Sequence, residues 1–279
     1  MKKISRRSFL AAAGLSVAAL ALTACGGSSA STAFSVASSA AASEAASTSA
    51  AAGELTTVEA GKLTMATNAA FPPYEMTTDA GEFEGIDIET AQAIADKLGL
   101  ELQIDDMDFD AALLSVQQGK ADIVMAGVTV TDERKAVMDF SDSYATGIQS
   151  IIVPEGSDIA SPDDLAGKKI GTQRGTTGYI YCSDDFGDDN VVAYDDGLTA
   201  VQALNNGQVD AVVIDNAPAQ EFIAANPGLK ILDTSYAEED YAIGMAKGSS
   251  LEDAVNAALE ELKADGTLQS IVDKYITAE

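Results

Sequence analysis

Two segments of this chain pass through the same succession of local events. VQQGKADIVMAG (116–127) and ALNNGQVDAVVID (203–215) each run from a helix end through a glycine, two residues and an aspartate into a short apolar stretch. Gly-x-x-Asp is common punctuation between a helix and a strand, so the pair alone fixes little. In a chain of 279 residues, longer than the ~100–200 of an ordinary domain, it favours two similar lobes. The other brief apolar runs agree: LTMAT (63–67), ELQI (101–104), KIGT (169–172) and VVAY (191–194). Short runs of this kind are what strands of a doubly covered parallel sheet look like. Helical patterns alternate with them. Ile88, Ala91, Ala95 and Leu98 share a face before Gly99, and Val201 and Leu204 share one before Gly207. The expected fold class is α/β, with parallel sheets.

Ligands of open α/β sheets bind beyond the carboxyl ends of the strands. That rule places a site near Ala126 to Thr131 on one lobe and near Asp215 on the other. SSLEDAVNAALEELKADG (249–266) reads as a long helix, with Ser249 and Glu252 spaced for a capping box and Gly266 as its stop. A second helix is expected to follow to Ile276.

Composition narrows the chemistry. Acids outnumber bases 44 to 16, a formal charge of −28, and such a surface repels phosphate backbones, which argues against a nucleic-acid partner. Histidine is absent, which removes Ser-His-Asp and Cys-His catalysis and nearly all transition-metal sites. Cys25 and Cys182 are the only cysteines, too few for a disulfide framework or a zinc cluster. CSDDFGDDN (182–190) is acidic but lacks the spaced ligands, the glycine and the final glutamate of a calcium loop. It is expected to be a solvated loop, with Cys182 an unpaired, partly buried thiol. No metal or cofactor is implied.

The first residues read as an export signal: a basic start, MKKISRR, then an apolar run from Phe9 to Leu22 broken only by small residues. LTAC (22–25) resembles the lipobox of bacterial lipoproteins, which implies a diacylated Cys25 as the mature N-terminus. SRRSFL (5–10) is similar to a twin-arginine export motif, the alternative being a plain basic start. Residues 26–53 are Ser, Ala, Gly and Thr at nearly every position; as a flexible coil they would reach roughly 30 Å. The expected organisation is therefore a signal peptide over 1–24, a lipidated cysteine and linker over 25–54, and a globular body beyond. Such a protein works just outside a membrane, anchored by two acyl chains.

Beyond the leader, Arg134 and Arg174 are the only arginines. Thr131 is a good N-cap, and Asp132 and Glu133 suit a helix start, whereas an arginine one step later does not. A locally broken rule points to function, and a guanidinium offers a planar fork of donors suited to a carboxylate. The plain alternative is a surface pair with a neighbouring acid. Asp215 ends the strand DAVVI, where it either binds an ammonium group or caps the helix NAPAQEF. A carboxylate grip on one lobe and an ammonium grip on the other describe an α-amino acid. Arg174, beside Gly175, is expected on the surface.

TNAAFPPYE (67–75), GIDIETAQAIADKLG (85–99), DMDFDAALLSVQQGKADIVMAGVTVTDERKAVMDFSDSY (106–144), DLAGKKIGTQRGTTG (164–178) and GQVDAVVID (207–215) resemble the amino-acid-binding family of solute-binding proteins that serve ABC importers. The resemblance spans nearly all of residues 58–277. It implies a two-lobed Venus-flytrap fold of the type II periplasmic-binding-protein kind. The chain would cross twice between lobes, near 147–153 and 239–246, with 55–148 plus 245–279 as one lobe and 149–244 as the other.

Carried over by position, the resemblance gives Arg134 the ligand α-carboxylate, assisted by Thr129, the backbone around Gly127 and the Thr176–Thr177 turn. Asp215 takes the α-ammonium, and Phe71 and Phe109 sandwich the ligand side chain. Asn68 stands where binders of cationic amino acids commonly carry an acid, which favours a neutral polar ligand side chain. Ala126 and Gly127 replace hydroxyl residues of some relatives, and Gly178 offers no side chain. The implied function is a lipid-anchored, extracytoplasmic, monomeric receptor that binds a free L-amino acid and delivers it to a membrane permease. The alternatives are a secreted enzyme similar to cyclohexadienyl dehydratases and an amino-acid sensor lipoprotein.

Overall fold

The computed structural model describes residues 55–276. The expected signal peptide, Cys25 and the Ser/Ala-rich linker lie outside the described residues. All six apolar runs contribute strands, although DIVMA supplies only Ile123–Val124.

Five strands form the first sheet, in the order Glu101–Asp106, Lys62–Thr67, Ile123–Val124, Gly244–Ala246, Met138–Phe140. The first three are parallel, and Gly244–Ala246 runs antiparallel to both its neighbours. The second sheet has the order Val191–Tyr194, Ile170–Gln173, Ala211–Asp215, Ala145–Pro154, Leu229–Ile231. Its first three strands are again parallel, and the long Ala145–Pro154 strand is antiparallel to Ala211–Asp215, Leu229–Ile231 and Ala237–Tyr241. Ala70–Phe71, Glu75–Thr77 and Phe83–Glu84 make a small antiparallel sheet of their own.

Each sheet is covered by helices because each helix buries one apolar stripe. Ile86–Leu98 packs with Glu252–Ala264 and Thr267–Tyr275, so the C-terminal helices join the first lobe. There Ile88, Ile94, Val255, Leu259 and Leu268 share a core with Leu63 and Met65. On the second sheet, Ala200, Val201 and Leu204 of the helix Gly197–Asn205 pack with Val212, Ile214 and Phe222.

The chain leaves the first sheet at Phe140 and enters the second at Ala145; it returns between Tyr241 and Gly244. Residues 145–149 and 237–241 pair with each other over this stretch, so the passage begins slightly ahead of the expected 147–153.

The internal similarity has a physical counterpart. Gly119 and Gly207 both take positive φ, 66° and 67°, where a side chain would be strained. Asp122 and Asp210 both accept a backbone N–H from the adjoining strand edge, Thr64 at 2.8 Å and Lys169 at 2.8 Å. Asp122 is buried and takes a second N–H, from Val58 at 2.7 Å.

Three local expectations are corrected. Glu252–Ala264 is capped by Leu251 with no side-chain cap. Ser249 Oγ instead accepts from Leu251 N, so the Ser249–Glu252 capping box does not form. Residues 182–186 are the last turns of the helix Thr177–Phe186, and only the rest of the acidic stretch is irregular or 3-10. Cys182, on the inner face of that helix, is fully buried rather than partly so; it is unpaired, and burial pushes its thiol up to about 12. Arg174 lies on the surface, 3.4 Å from Asp195.

Candidate functional site

The parallel strands of both sheets end at one cavity, and it is lined by Asn68, Phe71, Phe109, Ala126, Gly127, Thr129, Arg134, Thr176, Thr177 and Asp215. These are the ten positions nominated from the sequence. Six further residues line it: Glu75, Gln149, Gln173, Val213, Ile214 and Tyr241.

Arg134 lies in a single turn, Asp132–Lys135, capped by the Thr131 hydroxyl. Four residues make so short a helix that Arg134 sits in its last turn as well as its first, so the conflict with a helix dipole dissolves. Burial is the stronger signal. Only 9% of Arg134 is exposed, and among the described residues no carboxylate forms an ion pair with it, which removes the surface-pair alternative. Its Nη1 donates to Thr129 O at 2.8 Å and its Nη2 to Gly175 O at 3.2 Å. The guanidinium lies 5.4 Å from the centroid of the Phe109 ring, within cation–π range. Desolvation lowers its pKa, so a charge held out of water is left to seek an anion.

Asp215 is 2% exposed and heavily partnered. Its Oδ2 accepts from Ile148 N at 2.7 Å and its Oδ1 from Ala217 N at 3.0 Å, the latter making it the N-cap of Asn216–Ala225. The nearby Tyr241 hydroxyl also favours its ionised form. Burial raises the carboxyl to about 6 despite these donors. Both roles weighed for Asp215 are therefore compatible: it caps a helix and faces the cavity.

Gly127 sits at φ 54°. A Cβ there would lie 2.9 Å from Phe71 Cε1 and 3.2 Å from Tyr241 Cε2, so only glycine allows both rings to close on the turn. Phe71 stacks on Tyr74 at 5.8 Å, and Tyr74 meets Tyr241 edge-on at 5.4 Å.

At another part of the cavity Gln173 Nε2 donates to Asn68 Oδ1 at 2.8 Å, and Asn68 Nδ2 donates to Met107 O at 3.0 Å. This amide pair joins residues of the two lobes.

Thr129, expected to assist at the α-carboxylate, already has a hydroxyl partner in this structure. Its Oγ1 donates to Glu239 Oε2 at 3.0 Å, which also accepts from Gln149 Nε2 at 3.0 Å. Thr177 Oγ1 stands 3.5 Å from Thr129 Oγ1. With its single proton directed at Glu239, Thr129 turns lone pairs toward Thr177. Gln149 and Tyr241, which line the cavity, and Glu239, which holds Thr129 and Gln149 from behind, belong to the strands joining the two sheets, and no local pattern in the sequence marks them.

Comparison with known proteins agrees with this geometry. The family model described as bacterial extracellular solute-binding proteins, family 3, matches residues 63–278. The L-cystine-binding protein of Escherichia coli K12 is 33% identical over 226 residues, covering 79% of this chain and 85% of that one. An arginine-binding extracellular protein of Bacillus subtilis is 33% identical over 228 residues, covering 78% and 87%. The solved structure of an ancestral arginine-binding protein bound to glutamine is 42% identical with a TM-score of 0.75, covering 78% of this chain and 99% of the other.

Proposed function

Because the chain belongs to family 3 of the bacterial extracellular solute-binding proteins, we propose that it is a receptor that closes two lobes over one free L-amino acid and delivers it to an ABC importer. The lobes that close are residues 55–148 with 245–279, and residues 149–244. The observation that carries this reading is a buried guanidinium without a carboxylate partner among the described residues, sharing a cavity with a buried carboxylate. A zwitterion supplies the missing charges at both ends. Arg134 takes the α-carboxylate, with backbone N–H groups around Thr129 and the Thr176–Thr177 turn beside it. Asp215 takes the α-ammonium, and Phe71 and Phe109 flank the side chain.

A neutral polar side chain suits the rest of the cavity. Asn68 and Gln173 supply amide groups, and burial above all, then the charge of Asp87, raises the Glu75 carboxyl and so disfavours its ionised form. Once Asp215 is engaged, Glu75 is the one other acid among the described residues lining this cavity, and its raised carboxyl is poorly suited to balance a cationic side chain. Closure follows from differential affinity: a ligand that touches Arg134 and Asp215 together binds the closed arrangement better than the open one. The protein is a monomer without catalytic activity, tethered to the membrane by acylated Cys25.

The experiment is mass spectrometry of the small molecule released when the purified protein is denatured, followed by a thermal-shift panel of L-amino acids. An amino acid with a neutral polar side chain is expected. A ligand lacking either an α-carboxylate or an α-ammonium overturns the site, and a cationic amino acid overturns the side-chain assignment alone.

A further inference from the structure

Glu75 and Asp87, in the motifs FPPYE and GIDIE, hold no group of the ligand in the reading above, yet Glu75 lines the cavity and Asp87 holds the lining residue Gly127. Glu75 opens the strand Glu75–Thr77 and Asp87 is the second residue of the helix Ile86–Leu98. Neither exposes any surface. The backbone locks the two elements together: Asp87 N donates to Tyr74 O at 2.8 Å, and a Cβ on Gly85 would stand 2.2 Å from the same oxygen.

The hydrogen-bond supply is lopsided. Asp87 Oδ2 accepts from Gly127 N at 3.0 Å and from the Tyr144 hydroxyl at 2.8 Å. Asp87 Oδ1 and both oxygens of Glu75 receive no N–H or hydroxyl donor among the described residues. The two carboxyls are close enough to act on each other's ionisation. Two ionised carboxylates without donors, side by side and out of water, repel each other and lose their hydration together. One proton between them removes the repulsion and creates the missing hydrogen bond.

We propose that Glu75 is an un-ionised carboxylic acid that donates its proton to Asp87, and that this pair positions Gly127 at the edge of the ligand cavity. The proton belongs on Glu75 because the two donors to Asp87 stabilise negative charge there. The surrounding groups agree. Asp106 and Asp215 add negative potential at Glu75, and Tyr74 and Tyr144 lie against the pair. Burial above all, then the Asp87 charge, raises Glu75. Gly127 cannot shift without disturbing Phe71 and Tyr241, so an acceptor held firmly under its N–H sets the position of both rings. Glu75 and Asp87 are positioning residues. The part of this inference that concerns ligand affinity rests on the amino-acid reading; the proton and its effect on Gly127 do not.

The test uses the full chain at a pH of about 8, two units above the value to which burial raises Asp215. Infrared difference spectroscopy of wild type against Glu75→Gln is expected to show the carbonyl stretch of an un-ionised carboxylic acid in the wild type, lost in the variant. Amide exchange of Gly127, followed by NMR, is expected to be unchanged in Glu75→Gln, whose amide still donates to Asp87. In Glu75→Ala it should speed up by about tenfold, the effect of one weakened hydrogen bond, with amino-acid affinity falling by a similar factor. A wild type without the carboxylic-acid band, or a Gly127 amide that exchanges in Glu75→Ala as in wild type, overturns the proposal. If Glu75→Ala fails to fold, the band and the Glu75→Gln exchange rate still decide it. Failure of the amino-acid reading is separate, seen as a wild type that keeps the band and binds no amino acid.

Discussion

The two charged ends of the cavity are built in opposite ways. Among the described residues Arg134 is a cation whose hydrogen bonds go to two backbone carbonyls, with the Phe109 ring over it and no ion-paired carboxylate, whereas Asp215 is an acid that already holds two backbone N–H groups. An under-partnered charge is available to a ligand at once. A well-partnered one is fixed in direction, and its carboxyl is still raised to about 6 by burial. On the proposed reading, the Arg134 end would supply electrostatic attraction and the Asp215 end orientation together with a proton equilibrium.

The largest expected effect falls at the under-partnered end. Arg134→Ala should weaken amino-acid binding by about 2–5 kcal/mol, as when one member of a buried charge pair is removed, measured by calorimetry. Asp215→Asn should cost somewhat less, because its amide keeps an oxygen for one of the two N–H donors.

Asp215 also predicts a pH dependence that the arginine end lacks. The ammonium needs the ionised carboxylate, so below about pH 6 binding must expel a proton, and affinity should fall by up to about tenfold per pH unit. Without ligand the sign on stability is opposite: a folded pKa raised above its unfolded value stabilises below the unfolded value and loses that contribution as pH rises through about 6. Calorimetry in buffers of different ionisation enthalpy should detect the released proton near pH 6 and miss it in Asp215→Asn.

A smaller contrast concerns the paired supersecondary units. Asp122→Ala strips a buried acceptor from two N–H groups and should cost about 1–3 kcal/mol in thermal or denaturant unfolding. Asp210→Ala, at an exposed site with one such bond, should cost under about 1 kcal/mol. Arg174→Ala marks the bottom of the scale. Its exposed pair with Asp195 contributes little, and both stability and affinity should stay within about 0.5 kcal/mol of wild type.

This ranking tracks what was legible in the sequence. Parallel strands were legible because a strand covered on both faces must be apolar throughout, and the residues after their carboxyl ends reach the cavity for the same topological reason. Arg134 drew notice as a helix-start anomaly, although its helix is a single turn and the telling feature is its burial. Gln149 and Tyr241 of the cavity wall, and Glu239 behind them, escaped because they lie on strands whose pairing, Gln149 with Ala237 and Gly147 with Glu239, joins residues about ninety positions apart. Their sequences alternate in no way that tells one side from the other. The Ser249–Glu252 spacing misled for a local reason: Ser249 Oγ accepts from Leu251 N, one residue early, and the helix starts without it.

The central claim, that one zwitterion bridges Arg134 and Asp215, is tested most directly by calorimetric titration of wild type and Arg134→Ala with the preferred amino acid and with its α-carboxamide. Wild type should bind the amino acid far more tightly than the amide, and Arg134→Ala should lose most of that preference, because the arginine and the carboxylate act on each other. If Arg134→Ala keeps the wild-type preference for the carboxylate, the carboxylate is held elsewhere and the account is wrong.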